Sequence, residues 1–190
     1  MGKRKAASEA GIFCQSQQEK RRTKPRIQKT KKIAMISLIN HKQHENAQNI
    51  RRVFQVSYKV EAELLGATNF PPLSRPLDAF YNCPNDFVGY FVELKLVAVV
   101  EMKHEASHMH IQSLVVDPNY FRRGIASKLI DFVLNHYEVN MFTVETGKDN
   151  GPARKLYEGF GFELQKTYTA AENIHKAKES AAGLGMQVGL

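Results

Sequence analysis

One segment of the chain joins an apolar strand, a basic glycine turn and an amphipathic helix. The strand ends at Val115 and Val116, and Pro118 cannot continue it. Gly124 lies in the turn, and residues 125–134 then repeat apolar side chains at the spacing of a helix that packs on a sheet. The segment therefore predicts a strand, a tight turn and a helix N-terminus in direct succession.

This turn suits a bound pyrophosphate. A helix N-terminus offers unpaired N–H groups and the positive end of the helix dipole. Gly124 lets the backbone approach a ligand without a Cβ in the way, while Arg122 and Arg123 add charged donors. For the turn alone, a plain connection with solvated arginines is an equal alternative, because one glycine turn is weak evidence.

A second short helix follows the next apolar strand. Residues 141–147 suit a strand, and the helix starts near Pro152 and ends at Gly159. Five residues of this segment have a distinctive spacing: Asn150, Ala153, Tyr157, Gly161 and Phe162.

Together the two segments resemble the GNAT superfamily of acetyl-CoA-dependent N-acetyltransferases. The second segment matches the family pattern Asn-x-x-Ala-x-x-x-Tyr-x-x-x-Gly-Phe at the five residues just named. The first matches Gln/Arg-x-x-Gly-x-Gly/Ala at Gly124 and Ala126 but departs from it at Phe121, where the two following arginines still supply charge. The resemblance covers residues 33–168, and the two motifs together are far more specific than either alone.

The resemblance implies acetyl-CoA as cosubstrate and no metal. The residues that it implies for binding are Val115, Val116, Arg122, Arg123, Gly124, Ile125, Ala126, Ser127, Asn150, Ala153 and Tyr157. A backbone N–H near Val115 or Val116 would hold the thioester oxygen. Asn150 has a plainer alternative role as a helix cap. A metal site around His108 and His110 is the alternative that we disfavour, since no second element supplies further ligands.

The order of elements predicts a single α/β domain with a GNAT-like mixed, mostly antiparallel central sheet flanked by helices. Residues 32–38 suit a first strand, and residues 46–65 suit a helix ending at Gly66. Short breaks between the next three strand-like runs, at 87–93, 96–103 and 108–116, predict an antiparallel meander. Helix, strand, helix and strand then follow.

Acetyl transfer to nitrogen needs a proton acceptor, because an amine with a pKa of about 10.4 is mostly protonated at pH 7. His110 is the first candidate, since it alternates with His108 and Gln112 on one strand face. A tight turn that pairs Lys103 with His108 would set Glu101 opposite His110, where a carboxylate orients an imidazole. A bulge would move Glu101 to the other face. The alternative is that both histidines are structural.

Tyr157 is the candidate proton donor. Coenzyme A leaves as a thiolate, which a phenol with a pKa of about 10 can protonate. In the family, the tyrosine at this motif position does so, and the resemblance implies the same role here. The alternative is a core tyrosine beside Leu156 and Phe160.

The acceptor amine is not identified by the sequence. In the family, acceptors meet the first helices and the loop between them, which here contain Tyr58, Glu61, Glu63, Phe70 and Tyr81. The two glutamates suit a cationic amine or, equally, a solvated helix face. A small molecule and a peptide both remain open as acceptors.

Positive charge is concentrated at the N-terminus. The formal net charge is +8, and residues 1–34 contain eleven Lys or Arg and two Glu. We expect residues 1–32 to be a basic flexible tail, with an upstream translation start and contact with nucleic acid as further interpretations. Residues 33–168 form the expected domain, and residues 169–190 a mobile C-terminal tail.

The remaining features favour a cytoplasmic enzyme. There is no evident secretory signal or membrane-spanning run, and two cysteines are too few for a disulfide framework. Two other functions stay open, an acetyl-CoA-binding regulatory module without turnover and a nucleic-acid-associated protein that acts through its tail. A homodimer is compatible with the resemblance.

Overall fold

The computed structural model describes residues 33–67, 69–169 and 175–183. The strands are β1 (Ala34–Leu38), β2 (Asp86–Val92), β3 (Lys95–His104), β4 (Met109–Val116), β5 (Met141–Gly147), β6 (Glu163–Thr169) and β7 (His175–Ala182). The helices are α1 (His44–Leu65), α2 (Leu77–Tyr81), α3 (Ile125–His136) and α4 (Gly151–Glu158), with short 3₁₀ helices at Pro71–Ser74 and Pro118–Tyr120. None of the helices in these ranges is long and apolar enough to cross a membrane.

The strands form one seven-stranded sheet in the order β1-β2-β3-β4-β5-β7-β6. Strands β2 to β4 are an antiparallel meander, because their connections are too short for a crossover, and β1 pairs antiparallel with β2 although α1 and α2 lie between them in the chain. Helix α3 provides the crossover that makes β5 parallel to β4, and β7 is antiparallel to both β5 and β6. The prediction of a mixed, mostly antiparallel sheet flanked by helices is confirmed.

Two apolar clusters hold the helices on the sheet. Leu129, Ile130 and Val133 of α3 share one cluster with the fully buried Phe142 of β5. A second cluster combines residues of α1 with aromatic side chains of α2 and β2: Ile50, Val53, Phe54, Phe80 and Phe87. Both helices bury the face that their apolar spacing predicts.

The expectation of a C-terminal tail over residues 169–190 is wrong for residues 175–182. These residues form β7, which pairs with β5 from Met141↔Ala182 to Gly147↔Lys176 and with β6 on its other edge. The buried positions of β7 are Ala177, Glu179 and Ala181, so the strand lacks the alternation of large apolar residues that would have revealed it. The expected N-terminal tail, and residues 170–174 and 184–190, lie outside the described residues.

A bulge between Glu101 and Met102 changes the register of β3 and β4. Lys103 lies opposite His110, whereas Glu101 lies opposite Ser113. The predicted pairing of Glu101 with His110 is therefore wrong. An extra residue in one strand shifts every later pair, as expected for a bulge.

Strands β4 and β5 separate soon after they meet. They pair only at Met109↔Phe142, His110↔Thr143 and Ile111↔Val144 within the described residues. Beyond these pairs, residues 112–116 and 145–147 line a gap that opens toward the N-terminus of α3. This gap positions the candidate site.

A substitution at Gly183, which directly follows β7, tests whether the C-terminal residues are packed. A Cβ added to Gly183 would lie 1.7 Å from the carbonyl oxygen of Val139, so the backbone must shift. We expect Gly183→Ala to lower the free energy of unfolding by about 2 kcal/mol, the usual cost of overpacking. Urea unfolding measures this value.

Gly151→Ala is the matched control, because a Cβ at Gly151 meets nothing within 4 Å. It should leave the stability unchanged or slightly raised. Equal stability of the two variants would contradict the packed position of β7.

Candidate functional site

A cavity of about 530 Å³ lies between α1, the end of β4, the start of α3 and α4. It contains nine of the predicted binding residues: Val116, Arg122, Gly124, Ile125, Ala126, Ser127, Asn150, Ala153 and Tyr157. Two others lie outside it. Val115 is buried in the cluster under α1, and Arg123 donates from Nη2 to the carbonyl of Asn119 while its guanidinium stacks 4.9 Å from the ring of Tyr120.

The glycine turn directs the N-terminus of α3 toward this cavity. Arg122 (φ 61°) and Gly124 (φ 69°) both have left-handed backbone conformations, and no side chain caps the helix. Its first N–H groups are therefore free of the usual capping bond, as an anion site requires. The carboxylate of Asp117 accepts a hydrogen bond from the backbone N–H of Asn119 and so fixes the chain before the turn.

Asp117 also joins the turn to α1. Its carboxylate lies 3.3 Å from Nη1 of Arg52, whose Nη2 donates to the carbonyl of Leu96. Burial alone would raise the pKa of Asp117, but the hydrogen bonds from Asn119 and Arg52 lower it below its ordinary value. The carboxylate therefore stays charged and keeps the turn in place.

Asn150 connects α4 to α1. Its Oδ1 accepts from the backbone N–H of Ala153 at 3.2 Å, as a helix cap does, and its Nδ2 donates to Oε1 of Glu61 at 3.2 Å. Burial raises the pKa of Glu61 above its ordinary value, although the bond from Asn150 and the charge of Lys176 oppose this shift. The capping alternative for Asn150 is thus confirmed, and the residue also borders the cavity.

Tyr157 lies on α4 with only 4% of its surface exposed, and its side chain lines the cavity. Burial raises the pKa of its phenol, and the neighbouring Tyr58, Glu61 and Glu179 raise it further. The phenol is therefore protonated at neutral pH and can donate a proton or a hydrogen bond.

A second cavity of about 340 Å³ opens on the other side of the gap between β4 and β5. Its lining is Phe54, Tyr58, Glu61, Phe70, Pro71, Pro72, Arg75, Gln112, Ser113, Glu145, Thr146, Gly147 and Lys176. Among these, Glu61 also lines the first cavity. Of the residues predicted to meet the acceptor, Tyr58, Glu61 and Phe70 line this space, whereas Glu63 and Tyr81 do not.

An ion pair holds the wall of this second cavity. Arg75 donates from Nη1 and Nη2 to the two carboxylate oxygens of Glu101, at 2.7 and 3.0 Å, and its guanidinium lies 4.0 Å from the ring centroid of Phe80. Asn85 adds a third hydrogen bond to Glu101 at 2.6 Å. Glu101 is fully buried, so its carboxylate is engaged in fixing the loop that carries Pro71 and Pro72.

His110 has a different carboxylate neighbour from the predicted one. Its Nδ1 lies 2.8 Å from Oγ1 of Thr143, and it lines neither cavity. Burial lowers the pKa of His110, and the negative charge of Glu145 partly opposes this shift. Glu145 lies two residues beyond Thr143 on the same face of β5, and it borders the second cavity.

Glu145 and Lys176 were missed by the sequence analysis. Glu145 accepts a hydrogen bond from the phenol of Tyr168, whose pKa is raised to about 12 by burial and by this carboxylate. The alternation of β5 was a usable signal for Glu145, since Thr143 and Glu145 must share a face. Lys176 lies on the strand that the sequence did not reveal.

Comparisons with known sequences identify the family. A sequence model of the acetyltransferase (GNAT) family matches residues 50–162. The UPF0157 protein YqkA of Bacillus subtilis (strain 168) is 32% identical over 141 residues, which cover 74% of this chain and 41% of that protein. The chain thus spans about two fifths of the length of the curated relative that it matches.

Solved structures share the fold. The ribosomal-protein-S18-alanine N-acetyltransferase of Escherichia coli aligns over 83% of this chain and 99% of its own, with a TM-score of 0.65 and 15% identity. The PaiA N-acetyltransferase of Thermoplasma acidophilum, in complex with coenzyme A, aligns over 78% and 99%, with a TM-score of 0.62 and 14% identity. At such identities the likeness concerns the fold alone.

The contacts of Glu101 predict a structural role. Glu101→Gln removes the charge that neutralises the guanidinium of Arg75, so we expect the free energy of unfolding to fall by about 3 kcal/mol in urea. Glu105→Gln, which removes the carboxylate of an exposed pair with Lys103, should leave the stability unchanged. A Glu101→Gln variant that lost acetyl transfer at unchanged stability would instead support the catalytic role.

Proposed function

Because the chain belongs to the acetyltransferase (GNAT) family, we propose that it transfers the acetyl group of acetyl-CoA to a primary amine by direct attack in a ternary complex. The observation that carries this proposal is the pair of cavities that meet at Glu61, on either side of the gap between β4 and β5. One space suits a pyrophosphate-bearing ligand and the other an amine, so both substrates can be bound at once.

The first cavity has the features that acetyl-CoA needs. The uncapped N-terminus of α3, Arg122 and Gly124 would hold the pyrophosphate. The edges of β4 and β5 that face the gap have no strand partner beyond Ile111 and Val144 among the described residues. Except for the N–H of Val116, which donates to Oγ of Ser57, backbone groups on these edges can bond the amides of the pantetheine arm. When bound, acetyl-CoA supplies the thioester carbon that the amine attacks.

The second cavity has the features that an ammonium acceptor needs. Glu61 and Glu145 bring two carboxylates to a space that Phe54, Tyr58 and Phe70 also line. Of the two cations in this lining, Arg75 is neutralised by Glu101, so Lys176 alone opposes the two carboxylates. A cation among aromatic rings and carboxylates is stabilised by both. The amine must lose a proton before it can attack, and the same carboxylates are the nearest acceptors in the lining.

Glu145 and His110 are proposed to remove that proton. Glu145 borders the acceptor cavity, and its charge acts on His110 behind it. Because the pKa of His110 is lowered, its imidazole is neutral at pH 7 and can take the proton from Glu145 directly or through water. Glu145 thus replaces Glu101 as the carboxylate of the pair.

Tyr157 is proposed to complete the transfer of protons. Its phenol lines the acetyl-CoA cavity and lies near Glu61, where the two cavities meet. Because its pKa is raised, the phenol keeps its proton at neutral pH and stabilises the thiolate leaving group by donating a hydrogen bond.

Acetyl-CoA-dependent thiol release with a panel of amines and peptides tests the function. We expect turnover by the wild type, and a fall in kcat of about 100-fold in Tyr157→Phe and in Glu145→Gln with unchanged affinity for acetyl-CoA. Tyr137→Phe is the control for loss of a phenol, because Tyr137 lines neither cavity and its hydroxyl donates to Oδ2 of Asp86. Tight binding of acetyl-CoA without turnover of any amine would instead support a regulatory binding module.

The pH dependence tests His110. Its lowered pKa predicts that kcat/KM falls as pH drops below 6.5, because protonation removes its capacity to accept a proton. His110→Gln should lack this break while retaining the part of the profile that comes from the acceptor amine. An identical break in the variant would exclude His110 as the titrating group.

A further inference from the structure

Three lysines lie on one face of β6 and β7, next to the acceptor cavity. Lys178 lies directly opposite Lys166, and Lys176 lies opposite Tyr168. The other face of β7 is the buried one, since it presents Ala177 and Glu179 to the interior. The three ammonium groups therefore share the open face of the sheet.

These lysines form no close ion pair with a carboxylate in the part of the chain that the structure describes, although Lys178 has Glu145 as its neighbour on β5. Nζ of Lys166 lies instead 5.5 Å from the ring centroid of Tyr168. Like charges directly opposite each other on neighbouring strands destabilise a sheet. An anionic ligand would relieve this repulsion.

The arrangement continues the acceptor cavity outward. Lys176 lines that cavity, and Lys178 follows two residues later, about 7 Å along the strand. On the other side Lys178 lies opposite Glu145, which also lines the cavity. The two carboxylates of the cavity therefore lie next to the row of lysines, and Lys176 lies at the boundary between them.

We propose that the acceptor is dipolar, with a primary amine at one end and carboxylate or phosphate groups that bind Lys166 and Lys178 at the other. The amine end enters between Glu61 and Glu145, and the anionic end lies across the strands outside the cavity. This inference rests on the proposed function, because it gives the acceptor of the same reaction its chemical class. An acidic peptide with a free amino terminus and a small amino acid with an acidic side chain both have this chemistry.

Matched acceptors test the proposal. The first series consists of tetrapeptides with a free amino terminus, followed by two glutamates, two glutamines or two lysines, so that only the charge beyond the amine differs. The second series compares free glutamate with free glutamine as small-molecule acceptors. In whichever series is acetylated better, we expect kcat/KM to be about tenfold higher for the glutamate acceptor than for the glutamine acceptor. Added salt should reduce this preference. Fluorescence anisotropy with the same labelled peptides measures binding without turnover.

A double variant tests whether Lys166 and Lys178 cause the preference for acidic acceptors. Lys166→Gln/Lys178→Gln should remove the preference for the acidic member in both assays, whereas Lys59→Gln/Lys155→Gln, which removes two exposed charges from α1 and α4, should keep it. Equal turnover of the acidic and amide peptides by the wild type would overturn the dipolar acceptor and leave the acetyltransferase standing. A different result would separate the two proposals. If acidic peptides bind selectively, lose this binding in Lys166→Gln/Lys178→Gln and are never acetylated, the lysines form an anion-binding surface and the proposed acetyl transfer is wrong.

Discussion

The separation of β4 and β5 is the constraint on which the site depends. A sheet gains stability from every ladder bond, so two adjacent strands that stop pairing after three residue pairs leave backbone groups that need other partners. In this chain the outer edges of both strands stay paired, β4 with β3 and β5 with β7, and only the inner edges are open. The sheet is thus rigid around an opening whose walls are polar backbone, which is the environment that an extended ligand with amide groups requires.

The surroundings of this opening are fixed by buried charges. Asp117 with Arg52 fixes the turn before α3, and Glu101 with Arg75 fixes the loop over the second cavity. Glu101 lies in β3 and Asp117 directly follows β4, whereas both arginines come from the helical layer or its loops. Both carboxylates are buried, so an arginine that moved away would leave an unpaired buried charge. The two cavities therefore have walls whose positions are set by the central strands.

The sequence predicts best what depends on short segments. The glycine turn before α3 and the cap of α4 are local patterns, since Gly124 and Asn150 act on backbone groups within three residues of their own positions. The bulge at Glu101 is different, because it depends on how β3 fits between two neighbours, and no residue in the hairpin marks it. Strand β7 was missed because its buried side chains are two alanines and a glutamate, which carry no hydrophobic period.

The site residues also divide into those that a local motif predicts and those that depend on neighbouring strands. Tyr157 and most of the residues proposed to bind acetyl-CoA follow from motifs. Glu145 and Lys176 instead depend on which strands lie side by side, so their places in the second cavity required the fold itself.

The position of β7 has a consequence for how the protein is made. This strand follows both β5 and β6 in the chain but lies between them in the sheet, so β6 has no place to pair until β7 has been synthesised. Until that moment the emerging chain exposes the outer edge of β5, which is the kind of edge that attracts other strands. Contacts between distant segments also slow folding. Insertion of β7 therefore completes the second half of the sheet, and Lys176 joins the lining of the second cavity only in that step.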